Sequence, residues 1–555
     1  MQVAFLHPDL GLGGAERLVI DAAVGLQKLG NHVHMYTSHC DKKHCFSEAR
    51  DGTLSVTVLG DWIPRSFFRR FAALFAYVRM LYLALGVALF GPSFDVIVCD
   101  QISACIPILK LLTRAKIVFY CHYPDQLLCT DRRSLLKRLY RWPIDRLEAI
   151  TTGMAHRVLV NSKYTASIFH ATFTHIKTLP AVLYPPINSQ AYTAVNEALA
   201  GELKTPASAA DPEWLVPLRG KHLILSLNRF ERKKNLRLAV DMMAQLRTTV
   251  DPATFANTVL VIAGGYDPLC RENIEYHSAL EQYAQQLNLG PQVVFKRSFT
   301  EAERNALLRI ATCLVYTPSF EHFGIVPVEA MYCGVPPVAV ANGGPCESVL
   351  DGVTGFLCPC PSAPPASAQR CAGLDTPLGD LQVHMRLAGA FARCVACLIA
   401  NPAGPVARHP ALPVDGEAEP EAPPKRTGGA SPRGGFLLSL CTLLGSILLM
   451  TAYTLVTMMV LHLLLLSLPF SPSTCRHCGC HWRRPIRSPL PPPQAQVSPV
   501  PADETAALAR SDGPLRTRMG RAGRQRAREM FALEVFGSRL DQTLREVLMQ
   551  KVRRE

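Results

Sequence analysis

No secretory signal pattern opens this chain. Met1 runs straight into Val3-Ala4-Phe5-Leu6, a buried-strand run followed by a polar turn, so the body of the protein is expected to stay in the cytosol. Charge is scarce: 18 % of the 555 residues are charged and 48 % are hydrophobic, a balance that leans towards membrane contact. Acid is the scarcer sign, 44 residues against 58 basic ones, and the resulting +14 suits phosphates or an anionic bilayer face. No run interleaves basic residues with aromatics as a nucleic-acid module does, so nucleic acid is not an expected partner. The 19 cysteines are scattered, many inside apolar runs such as Val96-Ile97-Val98-Cys99; they read as small buried hydrophobes in a reducing compartment, not as a disulfide framework. No Asp-x-Asp triplet occurs anywhere, which counts against a diphosphate held through a metal ion.

What the sequence does contain is alternation. Strand-like runs at 2–6, 33–37, 54–59, 96–99, 117–120 and 158–160 are separated by helical patterns such as 15–29 and 135–152, which predicts a parallel sheet covered on both faces. A polar stretch at 188–220 interrupts this, and the alternation restarts at 222–227 and continues through 258–263, 293–295, 313–316 and 337–340. The expected architecture is α/β: an N-terminal Rossmann-like domain over 1–187, an interdomain region over 188–220 and a second Rossmann-like domain over 221–402, facing each other across a cleft. Residues 403–513 depart from the pattern. They are rich in Pro, Ala and Gly and contain 436–470, 35 residues without Asp, Glu, Lys or Arg. Regular structure resumes at 515. Excising the interval would join Asn401-Pro402 to Leu515-Arg516, so it reads as an insertion, with helices in 514–555 finishing the second domain.

Five motifs stand at strand ends. Gly11-Leu12-Gly13-Gly14-Ala15-Glu16-Arg17 opens the first helix; its glycines let backbone approach a ligand, but Glu16 breaks the Gly-x-Gly-x-x-Gly dinucleotide fingerprint. Phe119-Tyr120-Cys121-His122 puts a histidine at a strand's carboxyl end, where it serves a sugar or phosphate or is merely structural. Asn228-Arg229-Phe230-Glu231-Arg232-Lys233-Lys234 supplies cations that could neutralise a departing diphosphate, or forms a solvated basic loop. Glu321-His322-Phe323-Gly324-Ile325-Val326-Pro327-Val328-Glu329 sets two carboxylates eight residues apart around a glycine that opens a helix, a set of acceptors for hydroxyls and backbone donors for phosphate. Asn342-Gly343-Gly344 and Ala263-Gly264-Gly265 are two further glycine turns of the same half. Cys475, Cys478, Cys480 and His481 make at most half a zinc site.

Together the Gly-Gly-Ala-Glu-Arg start, the basic loop and the Glu-x7-Glu string resemble glycosyltransferase family 4, which has the GT-B fold. Phe5–Gly11, Phe119–Asp125, Thr151–Ala155 and Tyr316–Glu329 narrow the resemblance to the GDP-mannose-dependent α-1,3/α-1,6-mannosyltransferases of dolichol-linked oligosaccharide assembly, over about residues 1–402 and 515–555. The resemblance implies a retaining, metal-independent enzyme without a cofactor. It would act on the cytosolic face of the endoplasmic reticulum membrane, moving mannose from GDP-mannose to a mannosyl-chitobiosyl-diphosphodolichol, with other enzymes of the pathway as candidate partners. By motif match, Glu321 would contact the mannose hydroxyls, with His122 near the transferring sugar. Glu329 would hold the ribose, Arg229 and Lys234 the diphosphate. Gly265 and the amides of Phe323, Gly324 and Ile325 would support the donor, and Gly13 and Gly14 would let acceptor and donor meet. Lys233, adjacent to Lys234, keeps the choice of lysine open, and His322 has no assigned role. Two alternatives stay open: a family 4 transferase using another nucleotide sugar, and a non-catalytic membrane scaffold with a relict cleft.

Two apolar segments bear on the membrane. Residues 71–90, broken only by Arg79, are long enough to span, but strand 96–99 must return to the sheet at once, so an in-plane helix docked on the bilayer is expected over a buried core helix. Residues 436–470 have basic flanks on both sides, which fits a re-entrant or shallow hairpin, the rival being a non-native insert.

Overall fold

The computed structural model describes residues 1–66, 71–129, 134–192, 212–359, 378–403, 409–410 and 513–550. The apolar stretch 436–470, the Cys/His cluster near 475–481 and residues 193–211 of the interdomain region lie outside the described residues.

The amino-terminal lobe is built on a parallel sheet of seven strands: β1 (Gln2–His7), β2 (His32–Thr37), β3 (Ser55–Val58), β4 (Val96–Asp100), β5 (Lys116–Cys121), β6 (Arg157–Val160) and β7 (Ala181–Val182), in the order β3-β2-β1-β4-β5-β6-β7. The second sheet has six: β8 (His222–Leu227), β9 (Thr258–Gly264), β10 (Val293–Arg297), β11 (Ala311–Tyr316), β12 (Pro337–Val340) and β13 (Phe356–Cys358), in the order β10-β9-β8-β11-β12-β13. The middles of strands such as β4 and β9, Val96–Cys99 and Val259–Ala263, are apolar on both sides because helices cover both sheet faces; polar residues come only at the strand ends. In each sheet the order reverses once, between β1 and β4 and between β8 and β11. The carboxyl ends of these strand pairs flank the crevices where such sheets bind ligands. Two Rossmann-like sheets of this kind form the GT-B fold.

The helices that matter to the site are α1 (Gly14–Lys28), α2 (Ala72–Phe90), α3 (Leu135–Thr152), α4 (Lys163–Thr172), α5 (Leu236–Thr249), α6 (Glu301–Ile310), α7 (Ile325–Tyr332), α8 (Leu378–Ala400), α9 (Leu515–Phe531) and α10 (Leu533–Met549). Helix α2 is long and apolar enough to cross a membrane, and 44 % of that span is buried. It packs Tyr77, Met80, Leu83, Ala84 and Val87 against the first sheet, its one charge, Arg79, is buried with Asp9 and Asp61 nearby, and Leu89 and Phe90 are exposed at its end. An all-round apolar sequence suits a helix wedged into a core as well as one in lipid.

The chain's end departs from expectation. Helix α9 does complete the second lobe, packing on α7, with Gly520 so close to the Gly334 carbonyl that a Cβ would overlap it. Helix α10 crosses back to the first lobe instead. Leu533, Phe536, Leu540, Leu544 and Val547 join the core beneath β1 and β4, and Gly537 meets Gly25 of α1 backbone to backbone. The interval 403–513 leaves and re-enters at one place: the Leu515 N–H donates to the Pro402 carbonyl at 2.8 Å, and the Arg516 N–H to Asn401 Oδ1 at 2.8 Å.

A candidate active site in the cleft between the lobes

From the second lobe, β8 ends in Asn228-Arg229 and turns into a short 3-10 helix, Arg232–Lys234. That turn lies against β9 so closely that any Cβ on Gly264 would overlap the Asn228 carbonyl. Gly265 touches the stem of Arg229, where a Cβ would sit 3.2 Å from Cγ. The two neighbouring lysines then diverge. Lys233 is exposed and pairs with Glu231 at 3.0 Å, whereas Lys234 is only 13 % exposed and its Nζ lies 2.5 Å from Glu321 Oε1. Thr317, after β11, anchors this arrangement by donating to the Lys234 carbonyl at 2.8 Å. Arg229 is largely exposed and bonded to Glu231 at 2.9 Å.

Glu321 sits in the loop from β11 to α7. Burial opposes its charge, but Lys234, helped by His322 and Lys233, holds its carboxyl below the usual range, so it is an anion at neutral pH. The loop is buttressed from behind by the Gly-Gly turn: the Gly344 N–H donates to the Glu321 carbonyl at 2.8 Å, and a Cβ on Gly344 would collide with Phe323. That packing gives the Asn342-Gly343-Gly344 string a structural task. The Phe323 ring is itself buried in the core, so only its backbone faces any ligand. Gly324 caps α7 with φ of 76°, and a Cβ there would press on Tyr316 at 3.2 Å. Helix α7 thus begins with first-turn N–H groups that have no intrahelical partner, at Gly324, Ile325 and Val326 before Pro327. Glu329, on the next turn, is separate from the Lys234–Glu321 pair. It faces Arg304 of α6 at 3.8 Å, and that guanidinium in turn lies over the Tyr192 ring.

From the first lobe, His122 follows β5. Its Nε2 is 2.9 Å from Asp100 Oδ2, Asn161 donates to its carbonyl at 3.0 Å, and Glu148 of α3 accepts from the N–H groups of Asp125 and Gln126 to hold the following turn. Gly13 and Gly14 border the mouth of α1. The Glu16 side chain folds back over Gly13 so tightly that a Cβ would displace it, and nothing lies near Gly14. Beside them is an open cavity of about 590 Å³ lined by Asp9, Glu16, Asp41, Lys43, His44 and Arg65 among others.

His322, without a role on sequence grounds, joins the lobes. Its ring stacks on Tyr123 with centroids 3.8 Å apart and planes 9° from parallel, and its carbonyl accepts from the Ser162 hydroxyl. Burial pushes its imidazole down to about 4, and Lys234 and Lys233 add to this against the pull of Glu321, so it is neutral at pH 7. A second bridge runs from Glu347, whose carboxylate accepts from the N–H groups of Lys163 and Tyr164 at 2.8 and 2.7 Å and thereby caps α4. Sequence reasoning missed His7, Asp100, Ser162 and Glu347. The available signal was a polar residue closing an apolar strand next to the reversal of strand order, which marks His7 and Asp100.

Residues 215–371 match the model for glycosyl transferases group 1, and residues 12–191 the model for glycosyltransferase family 4. The chain is 50 % identical over 361 residues to the alpha-1,3/1,6-mannosyltransferase ALG2 of Homo sapiens, covering 64 % of this chain and 83 % of that protein. The like-named proteins of Rhizomucor pusillus and Saccharomyces cerevisiae are 48 % and 40 % identical, covering 65 % and 64 % of this chain and 81 % and 72 % of theirs. Among solved structures, sucrose-phosphate synthase from Thermosynechococcus elongatus aligns with a TM-score of 0.49 at 19 % identity, over 72 % of this chain and 94 % of that one. With the family models covering both lobes and relatives at this identity along most of their length, the chain belongs to the alpha-1,3/1,6-mannosyltransferase family of GT-B glycosyltransferases.

Proposed function

We propose that this protein transfers mannose from GDP-mannose to a mannosylated, diphosphate-linked lipid acceptor, making the α-1,3 and α-1,6 bonds of a growing N-glycan precursor. The observation that carries the reading is the half-buried Lys234–Glu321 pair, which sets one cation and one hydroxyl acceptor side by side at the carboxyl end of the second sheet. Lys234 and Arg229 neutralise the diphosphate as it departs, and the free N–H groups at the start of α7 take its oxygens. Glu321 accepts from the mannose hydroxyls, Glu329 from the ribose, and His122 approaches the sugar from the opposite lobe. The bond from the anomeric carbon to phosphate breaks through an oxocarbenium-like state. The acceptor oxygen bonds that carbon on the same face, and its proton passes to the departing phosphate, so no protein nucleophile and no divalent ion is called for. The open cavity beside Gly13 and Gly14 is the acceptor's side, with Lys43 and Arg65 suited to its diphosphate.

The same reading places the protein on the cytosolic face of the endoplasmic reticulum membrane. Helix α3 supports it: it buries Arg141 and Glu148 and turns Leu135, Leu136, Trp142 and Ile150 outward, each more than half exposed. Leu111 is exposed on the neighbouring helix Ile106–Leu112, whose Lys110 bonds the Met154 carbonyl just beyond α3. An apolar patch rimmed by Lys137 and Arg138 suits an anionic bilayer. The test is incubation with GDP-mannose and a synthetic mannosyl-chitobiosyl-diphospholipid, with and without chelator, followed by linkage analysis, and UDP-sugars as rival donors. Both linkages are expected, undiminished by chelator; transfer from a UDP-sugar alone, or transfer that needs magnesium or manganese, would refute the reading.

A further inference from the structure

His7 is fully buried at the end of β1 and has no part in the chemistry above. Its Nδ1 lies 2.8 and 2.9 Å from the two carboxylate oxygens of Asp100, at the end of β4. Its Nε2 has no hydrogen-bond partner and stands 4.0 Å from Glu16 Oε1, at the start of α1. An imidazole with a carboxylate on each side is best satisfied when both nitrogens carry protons, since a lone pair facing Glu16 would meet another lone pair. Asp9 adds negative charge from the loop after β1, and burial is the force opposing the proton; the balance raises the imidazole above its ordinary value. On the far side of Asp100, Oδ2 is also 2.9 Å from His122 Nε2. An acid between two imidazoles, one of them in the cleft, has the logic of a base and its orienter.

We propose that Asp100 and His7 are positioning residues for mannosyl transfer: the Glu16–His7–Asp100 chain keeps Asp100 an anion, and Asp100 accepts a hydrogen bond from the Nε2–H of His122, so that His122 presents Nδ1 as a hydrogen-bond acceptor to a hydroxyl of the transferring sugar. The inference rests on the reading of function given above. The groups facing His122 are Asp100 from β4, the Tyr120 ring 4.9 Å away on its own strand, and His322 from the other lobe.

The test uses the full-length chain in detergent. Asp100→Asn keeps the shape but loses the charge, and is expected to lower kcat roughly a hundredfold while the KM for GDP-mannose stays within about threefold. His7→Gln still donates to Asp100 but cannot be charged, and is expected to lower kcat about tenfold and to shift its pH profile. In ¹⁵N-histidine NMR, His122 should change from the Nε2–H tautomer to a mixture in Asp100→Asn. Added to His122→Gln, Asp100→Asn should cost nothing more, because one residue acts through the other. Losses that multiply in that double variant, or a His122 tautomer that Asp100→Asn leaves unchanged, would overturn the proposal. Wild-type turnover separates the two readings. If the wild type transfers no mannose, the functional reading fails, and the NMR comparison still decides whether Asp100 orients His122.

Discussion

Lys233 and Lys234 are neighbours of identical chemistry with opposite fates, one solvated and one pinned to Glu321. Lys234→Ala should therefore lower turnover about a hundredfold, by removing a cation from the leaving group and leaving a half-buried carboxylate unpaired. Lys233→Ala should stay within about threefold of wild type, as expected for an exposed pair; initial rates with GDP-mannose measure both. Gly324 shows how much a single backbone angle decides. With φ of 76° and Tyr316 where a Cβ would point, Gly324→Ala should destabilise the protein by about 1–3 kcal/mol, seen as a lower Tm, and swing the α7 N–H groups off the phosphates, seen as a higher KM for the donor. The Glu-x7-Glu string was legible in the sequence as a pair of acceptors. That the first Glu pairs with Lys234 while the second meets Arg304 was not, because both partners come from remote segments.

Two of the bridges that cross the cleft among the described residues are open to test. Glu347 caps α4 from the opposite lobe, so Glu347→Gln should weaken closure, raising the donor KM several-fold and enlarging the radius seen by small-angle scattering in the presence of GDP. The second bridge is pH-sensitive. His322 is pushed down to about 4 in the folded protein, against about 6.5 in an unfolded chain, so the unfolded state takes up its proton first. Its contribution to stability is complete above about pH 6.5 and is lost as the pH falls from there towards 4. Tm should accordingly drop more steeply over that window in the wild type than in His322→Gln; parallel curves would remove His322 from the interface. The apolar length of α2 was plain, but its environment was not, since lipid and a protein core reward the same apolar side chains. The buried Arg79, with Asp9 and Asp61 nearby, shows that one side of it packs on the protein. Helix α3 carries the converse lesson, with charge inward and leucines outward.

At the scale of the whole molecule, the chain is two sheets tied twice: once through the interdomain region and again by α10, which returns from the second lobe to lie on α1 at the Gly25–Gly537 crossing. Gly537→Leu should separate those helices and lower Tm by several degrees without touching a cleft residue. The ends of the interval 403–513 come together where Asn401 and Pro402 meet Leu515 and Arg516, and at 409–410 it touches the second lobe, with His409 Nε2 2.8 Å from Asp351 Oδ1 and Arg393 donating to the Pro410 carbonyl at 3.0 Å. Replacing 404–512 by a short Gly-Ser linker should leave Tm within a few degrees and preserve turnover on a water-soluble acceptor analogue. A collapse of Tm would mean that the interval is part of the core.

The order of strands and helices, the two-lobed α/β plan and the glycine- and charge-bearing turns were determined by sequence alone, because apolar periodicity and turn chemistry depend on residues close along the chain. Tertiary structure alone decided that Lys234 rather than Lys233 enters the cleft, that His7 and Asp100 stand behind His122, that His322 and Glu347 clasp the lobes and that the last helix belongs to the first lobe. Those facts depend on which strand ends and helix faces are brought together over hundreds of residues, and no local pattern encodes that.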